Sequence, residues 1–279
     1  MDVTSFAKVL SVPADRLTLV GEGDNGTVLT DGTGIAYKFP KHQAALLQLR
    51  QEVAAMERIR PALSFPVPEY VGVFLDRPVG EAFCSFQLLE GESLTREIYA
   101  RHRPALARQL LSLLDEIHSL DPSGIRNPPL DFGVMYHEIQ TLLFPLLPDE
   151  AKEIIDNRFW GYLQGKDRNF DGSCVIHGDL GGSNILCDGE TGRITGVIDW
   201  AELTVDDPAI DYSALSCPMS IPDCREDLLA LRPSLAAVFE RSGFIQFTFP
   251  LQEALHGIKS HDQEALSSAL KVIKSRYCS

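Results

Sequence analysis

The sequence predicts an α+β chain of two lobes: a β-rich N-terminal lobe over residues 1–89 with one main helix, then a mainly helical C-terminal lobe over residues 90–279. Three observations predict it. At 279 residues the chain is long for one domain, so two lobes sharing a cleft are expected. Up to Leu89 most apolar runs are short and bounded by turn residues, whereas from Leu94 onward apolar residues recur at helical spacing. Short β-type runs return only once, in the stretch 175–200, VIHGDLGGSNILCDGETGRITGVIDW.

The first lobe opens with Leu17 to Tyr37, in which Gly21, Gly23 and Gly26 make G-x-G-x-x-G. A dinucleotide-binding version of that pattern needs a helix to open at the third glycine. Here Thr27–Thr30, the turn Asp31–Gly34 and Ile35–Phe39 read as a β-hairpin instead, so the loop would be clamped between two strands. Lys38 lies on the second of them. His42 to Arg60 then reads as a helix, with Leu46, Leu49, Val53, Met56 and Ile59 on one face and Glu52 and Glu57 as candidate partners for Lys38. Phe65-Pro-Val-Pro68 breaks the chain, and Tyr70–Phe74 and Ala82–Leu88 follow as two strands around a turn.

In the second lobe, Arg103–Leu120 predicts a core helix through Leu106, Leu110, Leu113, Leu114 and Ile117. Asp131–Gln164 is helical in character but interrupted at Pro145 and Pro148. Further helices are expected over 220–241, 249–259 and 263–277. For Asp207, N-capping with Pro208 at the first helical position is one reading. Glu226 and Asp227 open a helix, where acids complement the dipole.

The central stretch carries the chemistry. Runs at 174–177, 185–187 and 194–198 end at His177, Asp179, Asn184 and Asp199, and loop residues held by rigid strands are where chemistry is usually placed. Each residue alone is an ordinary turn former. The combination H-x-D-x4-N, then an apolar strand ending in Asp, is much rarer. One carboxylate can take a proton from a hydroxyl while an amide and a second carboxylate hold Mg²⁺ on a nucleotide.

His177-Gly-Asp-Leu-Gly-Gly-Ser-Asn184 with Ile198-Asp-Trp200 resembles the aminoglycoside phosphotransferases, small-molecule kinases with a protein-kinase-like fold. The spacing also matches H-R-D-L-x-x-x-N and D-F-G of protein kinases. Gly178 stands where those have Arg, no A-P-E triplet follows, and Asp199 lies too close to Asp211 for an activation loop; a small acceptor is therefore expected. The resemblance implies that Asp179 is the catalytic base and that Asn184 and Asp199 hold Mg²⁺. It also implies that Gly21, Gly23, Gly26, Lys38 and Glu52 bind the triphosphate of ATP or GTP, with Glu57 as the rival partner of Lys38. The backbone of Leu88, Leu89 and Glu90 would meet the base, with the lobe boundary near Glu90. His177 and Asp211 would brace the catalytic loop, and Glu202, Asp207, Glu226 and Asp227 would grip substrate amines. The acceptor implied is a cationic antibiotic, an aminoglycoside first. The alternatives are a macrolide, a metabolite such as choline, homoserine or a sugar, or a non-catalytic nucleotide-binding module.

Composition narrows the class. With 44% hydrophobic and 23% charged residues the chain is ordinary globular protein. A formal net charge of −14 disfavours nucleic acid. The acidic balance suits a polycationic substrate by electrostatic steering, although solubility alone also explains it. No apolar run reaches the length of a membrane span, and the N-terminus has no signal-peptide pattern, so a cytoplasmic protein without a membrane partner is expected. A monomer is expected, with a dimer left open. Cys84, Cys174, Cys187, Cys217, Cys224 and Cys278 show no C-x-x-C pairing and read as structural thiols.

Overall fold

A five-stranded antiparallel sheet forms the N-terminal part of the chain, in the order β1-β2-β3-β5-β4. Its strands are β1 (Thr18–Glu22), β2 (Gly26–Thr30), β3 (Ile35–Pro40), β4 (Tyr70–Phe74) and β5 (Phe83–Gln87). The computed structural model describes residues 3–165 and 172–277, so Cys278 lies outside the described residues. The chain forms two compact units, Met1–Asn127 with Val175–Val205 and Pro128–Cys174 with Asp206–Ser279. Residues 90–127 and 175–205 group with the sheet in the first unit.

Strand alternation explains how the first unit covers both faces of its sheet. On β3 and β5, Phe39 and Phe83 point one way and join Phe6, Leu17 and Leu29 beneath α1 (Val3–Leu10). Ala82 and Cys84 join Leu46, Leu49 and Val53 of α2 (Gln43–Ile59) in a separate cluster. Lys38, next to Phe39 and paired with Cys84, thereby faces α2. The helix starts where expected, with His42 Nδ1 accepting the Ala45 N–H, and all five residues of the expected stripe are buried.

Beyond the sheet, β6 (Glu92–Ser93) pairs with β8 (Ile185–Cys187), which pairs with β9 (Ile194–Val197). The helix expected from Arg103 begins seven residues earlier. α3 spans Arg96–His118, capped by the Thr95 hydroxyl on the Ile98 N–H, and bends at His102 because Pro104 removes a donor. Helical periodicity in the sequence was interrupted by that proline, and capping restores the first turns. β7 (Cys174–Ile176) pairs with β10 (Thr204–Asp206).

The second unit is helical. It contains α4 (Phe132–Glu138), a π turn over Ile139–Leu143, α5 (Asp149–Gln164), α6 (Ala209–Leu215), α7 (Cys224–Leu231), α8 (Ala236–Lys259) and α9 (Gln263–Tyr277). Its core is aromatic: Tyr162 stacks on Phe244 with centroids 3.8 Å apart, and Phe132 and Phe159 meet the same ring edge-on at 5.3 Å. The helices expected over 220–241 and 249–259 are divided elsewhere. The break falls at Pro233, and α8 runs unbroken through Pro250. Burial of Ile245, Leu251, Ala254 and Leu255 around Pro250 offsets the hydrogen bond that the proline cannot make.

Candidate active site

All parts of the candidate site lie in the first unit, around a cavity of about 790 Å³. Its roof is the β1–β2 loop, closed by the Gly23 N–H donating to Gly26 O at 3.0 Å. At Gly21 and Gly23 an added Cβ would meet no protein atom within 4 Å, so no protein neighbour crowds the loop at either position.

Lys38 reaches into the cavity from β3. Its Nζ donates to Glu52 Oε2 at 2.9 Å and to Asp199 Oδ1 at 3.1 Å. Burial alone would lower its pKa, but the Glu52 and Asp199 carboxylates overcome that and raise it, so the amine stays charged. Glu52 is 2% exposed, whereas Glu57 faces solvent, which settles the partner of Lys38. The other Glu52 oxygen accepts from Tyr70 Oη at 2.7 Å.

The loop that carries Asp179 and Asn184 hangs between β7 and β8. Asn184 Nδ2 donates to both the backbone O and Oδ2 of Asp179, at 2.8 and 2.9 Å, and so fixes the exposed carboxylate. His177 is fully buried: its Nδ1 accepts the Asp179 N–H at 3.3 Å and its Nε2 donates to Ile198 O at 3.1 Å. One imidazole therefore ties the start of the loop to the end of the strand that delivers Asp199. Trp200 closes this knot from below, fully buried, with its indole N–H on Val197 O. Asp199 sits at φ 61°, a left-handed conformation uncommon outside glycine that turns its carboxylate to Lys38. Gly178 also needs its identity: at φ 87° a Cβ would run into the Glu202 carbonyl.

Glu202 lines the cavity beside these groups. It is an exposed residue whose carboxyl is nonetheless partly desolvated by its surroundings. That burial, with help from Asp179 and Asp199 and against a hydrogen bond from Gln48, raises its pKa above the ordinary glutamate range. Gln48 Nε2 donates to Glu202 Oε1 at 2.7 Å and to Ala201 O at 3.3 Å, tying α2 to the segment after Asp199.

The structure thus gathers Gly21, Gly23, Gly26, Lys38, Glu52, Leu88, Leu89, Asp179, Asn184, Asp199 and Glu202 around one cavity. Glu90 is exposed and outside the lining, and the Leu88 N–H is already donated to Gly34 O at 2.8 Å. The remaining candidates belong to the second unit. Asp207 is clasped by Arg241 through both carboxylate oxygens, at 2.6 and 3.0 Å, and accepts the Ala209 N–H at 2.9 Å; this is a turn and ion-pair role next to α6. Asp211 is fully buried on α6, and Glu226 and Asp227 lie in the first turn of α7. Sequence reasoning missed two residues. Gln48 stands one turn before Glu52 on the same helix face, so helical spacing was a usable signal. Tyr70 gave none beyond strand propensity.

Asn184 and Asp199 offer one amide oxygen and one half-exposed carboxylate (52% exposed), a donor set that suits Mg²⁺ shared with phosphates and water. Among the described residues no cluster of three or more His, Cys, Asp or Glu could hold a metal ion.

A sheet-borne Lys–Glu pair, a Gly-rich loop and an Asp/Asn/Asp set around one cavity define a kinase-like phosphotransferase site. The chain belongs to the phosphotransferase enzyme family APH, whose sequence model matches residues 19–240. It is 31% identical over 198 residues to viomycin phosphotransferase of Streptomyces vinaceus, covering 65% of this chain and 64% of that one. It is 52% identical over 124 residues to the uncharacterized protein YcbJ of Bacillus subtilis (strain 168), covering 40% and 38%. The matches thus span less than two thirds of either curated relative. The fold is that of the GDP and kanamycin complex of APH(2")-IIia, with a TM-score of 0.86 at 19% identity over 98% of this chain and 96% of that one. Among the described residues no helix is long and apolar enough to cross a membrane.

Proposed function

We propose that this chain transfers the γ-phosphate of ATP or GTP to a hydroxyl of a cationic antibiotic, an aminoglycoside or a similarly amine-rich compound. The observation that carries the reading is the Asp179 carboxylate, held by Asn184 on the cavity that also receives Lys38, Glu52 and Asp199. Asp179 orients the acceptor hydroxyl and takes its proton as the new P–O bond forms. Lys38, set by Glu52, fixes the phosphate oxygens. Asn184 and Asp199 would hold Mg²⁺, which would neutralise charge on the phosphates. His177 keeps the two ends of this machinery in register. Alignment and electrostatics supply most of the acceleration, because the transition state is loose.

The viomycin and kanamycin relatives support an antibiotic acceptor. Asp179, Asp199 and Glu202 on the cavity, with the net charge of −14, favour an amine-bearing acceptor over a neutral or apolar one. The lobe boundary at Glu90, a cytoplasmic location and a monomeric state belong to the same proposal.

A coupled assay of nucleoside-diphosphate release tests it, with ATP or GTP and Mg²⁺ against kanamycin, gentamicin, viomycin, erythromycin and choline. Release driven by an amine-rich antibiotic is expected. Release with erythromycin or choline alone would overturn the acceptor assignment. Asp179→Ala is expected to abolish turnover with nucleotide affinity within about threefold of wild type, since it removes a group used in the transition state. Retained turnover in that variant would remove Asp179 from its role.

A further inference from the structure

We infer that Tyr70 is a positioning residue of the nucleotide site: its hydroxyl locks the Glu52 carboxylate in the orientation that aims Lys38. This rests on the phosphotransfer reading above and deepens it. Glu52 has two carboxylate oxygens and is 2% exposed. Lys38 Nζ holds Oε2 at 2.9 Å and Tyr70 Oη holds Oε1 at 2.7 Å. Water has little access, so each donor is needed; with one removed, the carboxylate must rotate or stay unsatisfied on one side.

The placement of Tyr70 follows from a local irregularity in the sheet. Tyr70 pairs with Phe86, but Gly72 pairs with Ser85, so β4 carries one extra residue, Val71. A bulge of this kind re-aims the side chains beside it. Glycine at 72 permits the close approach, since a Cβ there would lie 2.6 Å from Ser85 Oγ. The Tyr70 ring meets Phe86 edge-on with centroids 5.7 Å apart, and both rings line the cavity. Tyr70 is therefore held by the sheet while Glu52 belongs to α2, and their hydrogen bond pins the helix carboxylate to the strand layer that carries Lys38.

A phenol suits this position. Burial, with the Glu52 and Asp199 charges adding to it, pushes the Tyr70 pKa well above the usual tyrosine value, so the hydroxyl keeps its proton throughout the working pH range. It donates without adding charge. A cation in its place would compete with Lys38 for Glu52 and weaken the hold on the amine.

The test uses the full chain and compares wild type with Tyr70→Phe, Glu52→Gln and the double variant. Nucleotide affinity is measured directly by calorimetric titration with Mg²⁺-nucleotide, alongside steady-state kinetics. Tyr70→Phe is expected to weaken nucleotide affinity about tenfold, in line with a lost hydrogen bond to a charged group, while the acceptor KM stays within about twofold. The double variant is expected to bind nucleotide no worse than Glu52→Gln alone, because Tyr70 acts through Glu52. Incorporating 4-aminophenylalanine at position 70 restores an N–H donor on the same ring and is expected to recover affinity; this arm decides the matter if the phenylalanine variant folds poorly. Unchanged affinity in Tyr70→Phe, multiplicative losses in the double variant, or no recovery with the aniline ring would each overturn the inference. Wild-type protein that binds no nucleotide would instead overturn the phosphotransfer reading and the inference with it.

Discussion

Replacing Glu52 with Gln isolates the value of the buried pair, because it keeps the shape of the side chain and its bond from Tyr70. At 2.9 Å from Lys38 Nζ, the Glu52 charge is worth about 6 kcal/mol before solvation, taking an effective dielectric of about 20. Two features of the site reduce that figure. Taking the carboxylate out of water itself costs several kcal/mol, and Lys38 keeps a second partner in Asp199 at 3.1 Å, with 18% of its side chain still reaching solvent. Against them, the new amide would point N–H groups at the ammonium. The balance is a loss of about 2 kcal/mol, or about 4–8 °C in Tm for a chain of this size. Differential scanning calorimetry of nucleotide-free protein at neutral pH reads it directly. A second readout follows from the carboxylates that hold the Lys38 amine charged. With Glu52 neutral, Lys38 is expected to react faster with an amine-directed reagent at pH 9. A Glu52→Gln protein with an unchanged or higher Tm and no gain in Lys38 reactivity would refute the reasoning, since desolvation would then outweigh the pair.

Two further outcomes are expected. Glu202 has its carboxyl pKa raised in the fold, so the folded state holds its proton more tightly than the unfolded chain. Its favourable contribution is complete below the unfolded value near 4.5 and is lost as pH rises through the folded value; Glu202→Gln is therefore expected to be the more stable protein at pH 8, by less than about 1 kcal/mol given its exposure, with the difference vanishing by pH 4. Urea midpoints across pH check this, and a variant less stable at pH 8 would reverse the sign. Gly178→Ala is expected to lose about 2–5 kcal/mol, combining roughly 1–2 kcal/mol for a left-handed backbone with roughly 1–3 kcal/mol for contact with the Glu202 carbonyl; an unaltered thermal midpoint would mean that the loop shifts freely.

Most of the strands and the main helix of the sheet layer were legible because each is announced locally. The 27–39 hairpin carries its turn residues, and α2 carries a stripe that repeats at helical spacing. Asp179, Asn184 and Asp199 were legible for a related reason: fixed spacing on short loops between short strands leaves them few places to go. Where local signals conflicted, the reading slipped. Pro104 and Pro250 look like helix boundaries, yet capping by Thr95 and burial around Pro250 carry both helices past them. The acids after the 177–184 loop look alike in sequence, and packing separates them, giving Asp207 to Arg241 and Glu202 to the cavity.

By itself, the sequence determined the residue types of a phosphotransfer site, the elements that carry them and the order in which they arrive. Only the tertiary structure decided which charges meet. It chose Glu52 over Glu57, because one faces the sheet and the other solvent, and it brought Asp199 to Lys38 from 161 residues away. It also recruited Gln48 and Tyr70, which no motif marks. Motifs record spacing along the chain, whereas a buried carboxylate must be satisfied by whatever donors the packed sheet and helix bring within about 3 Å.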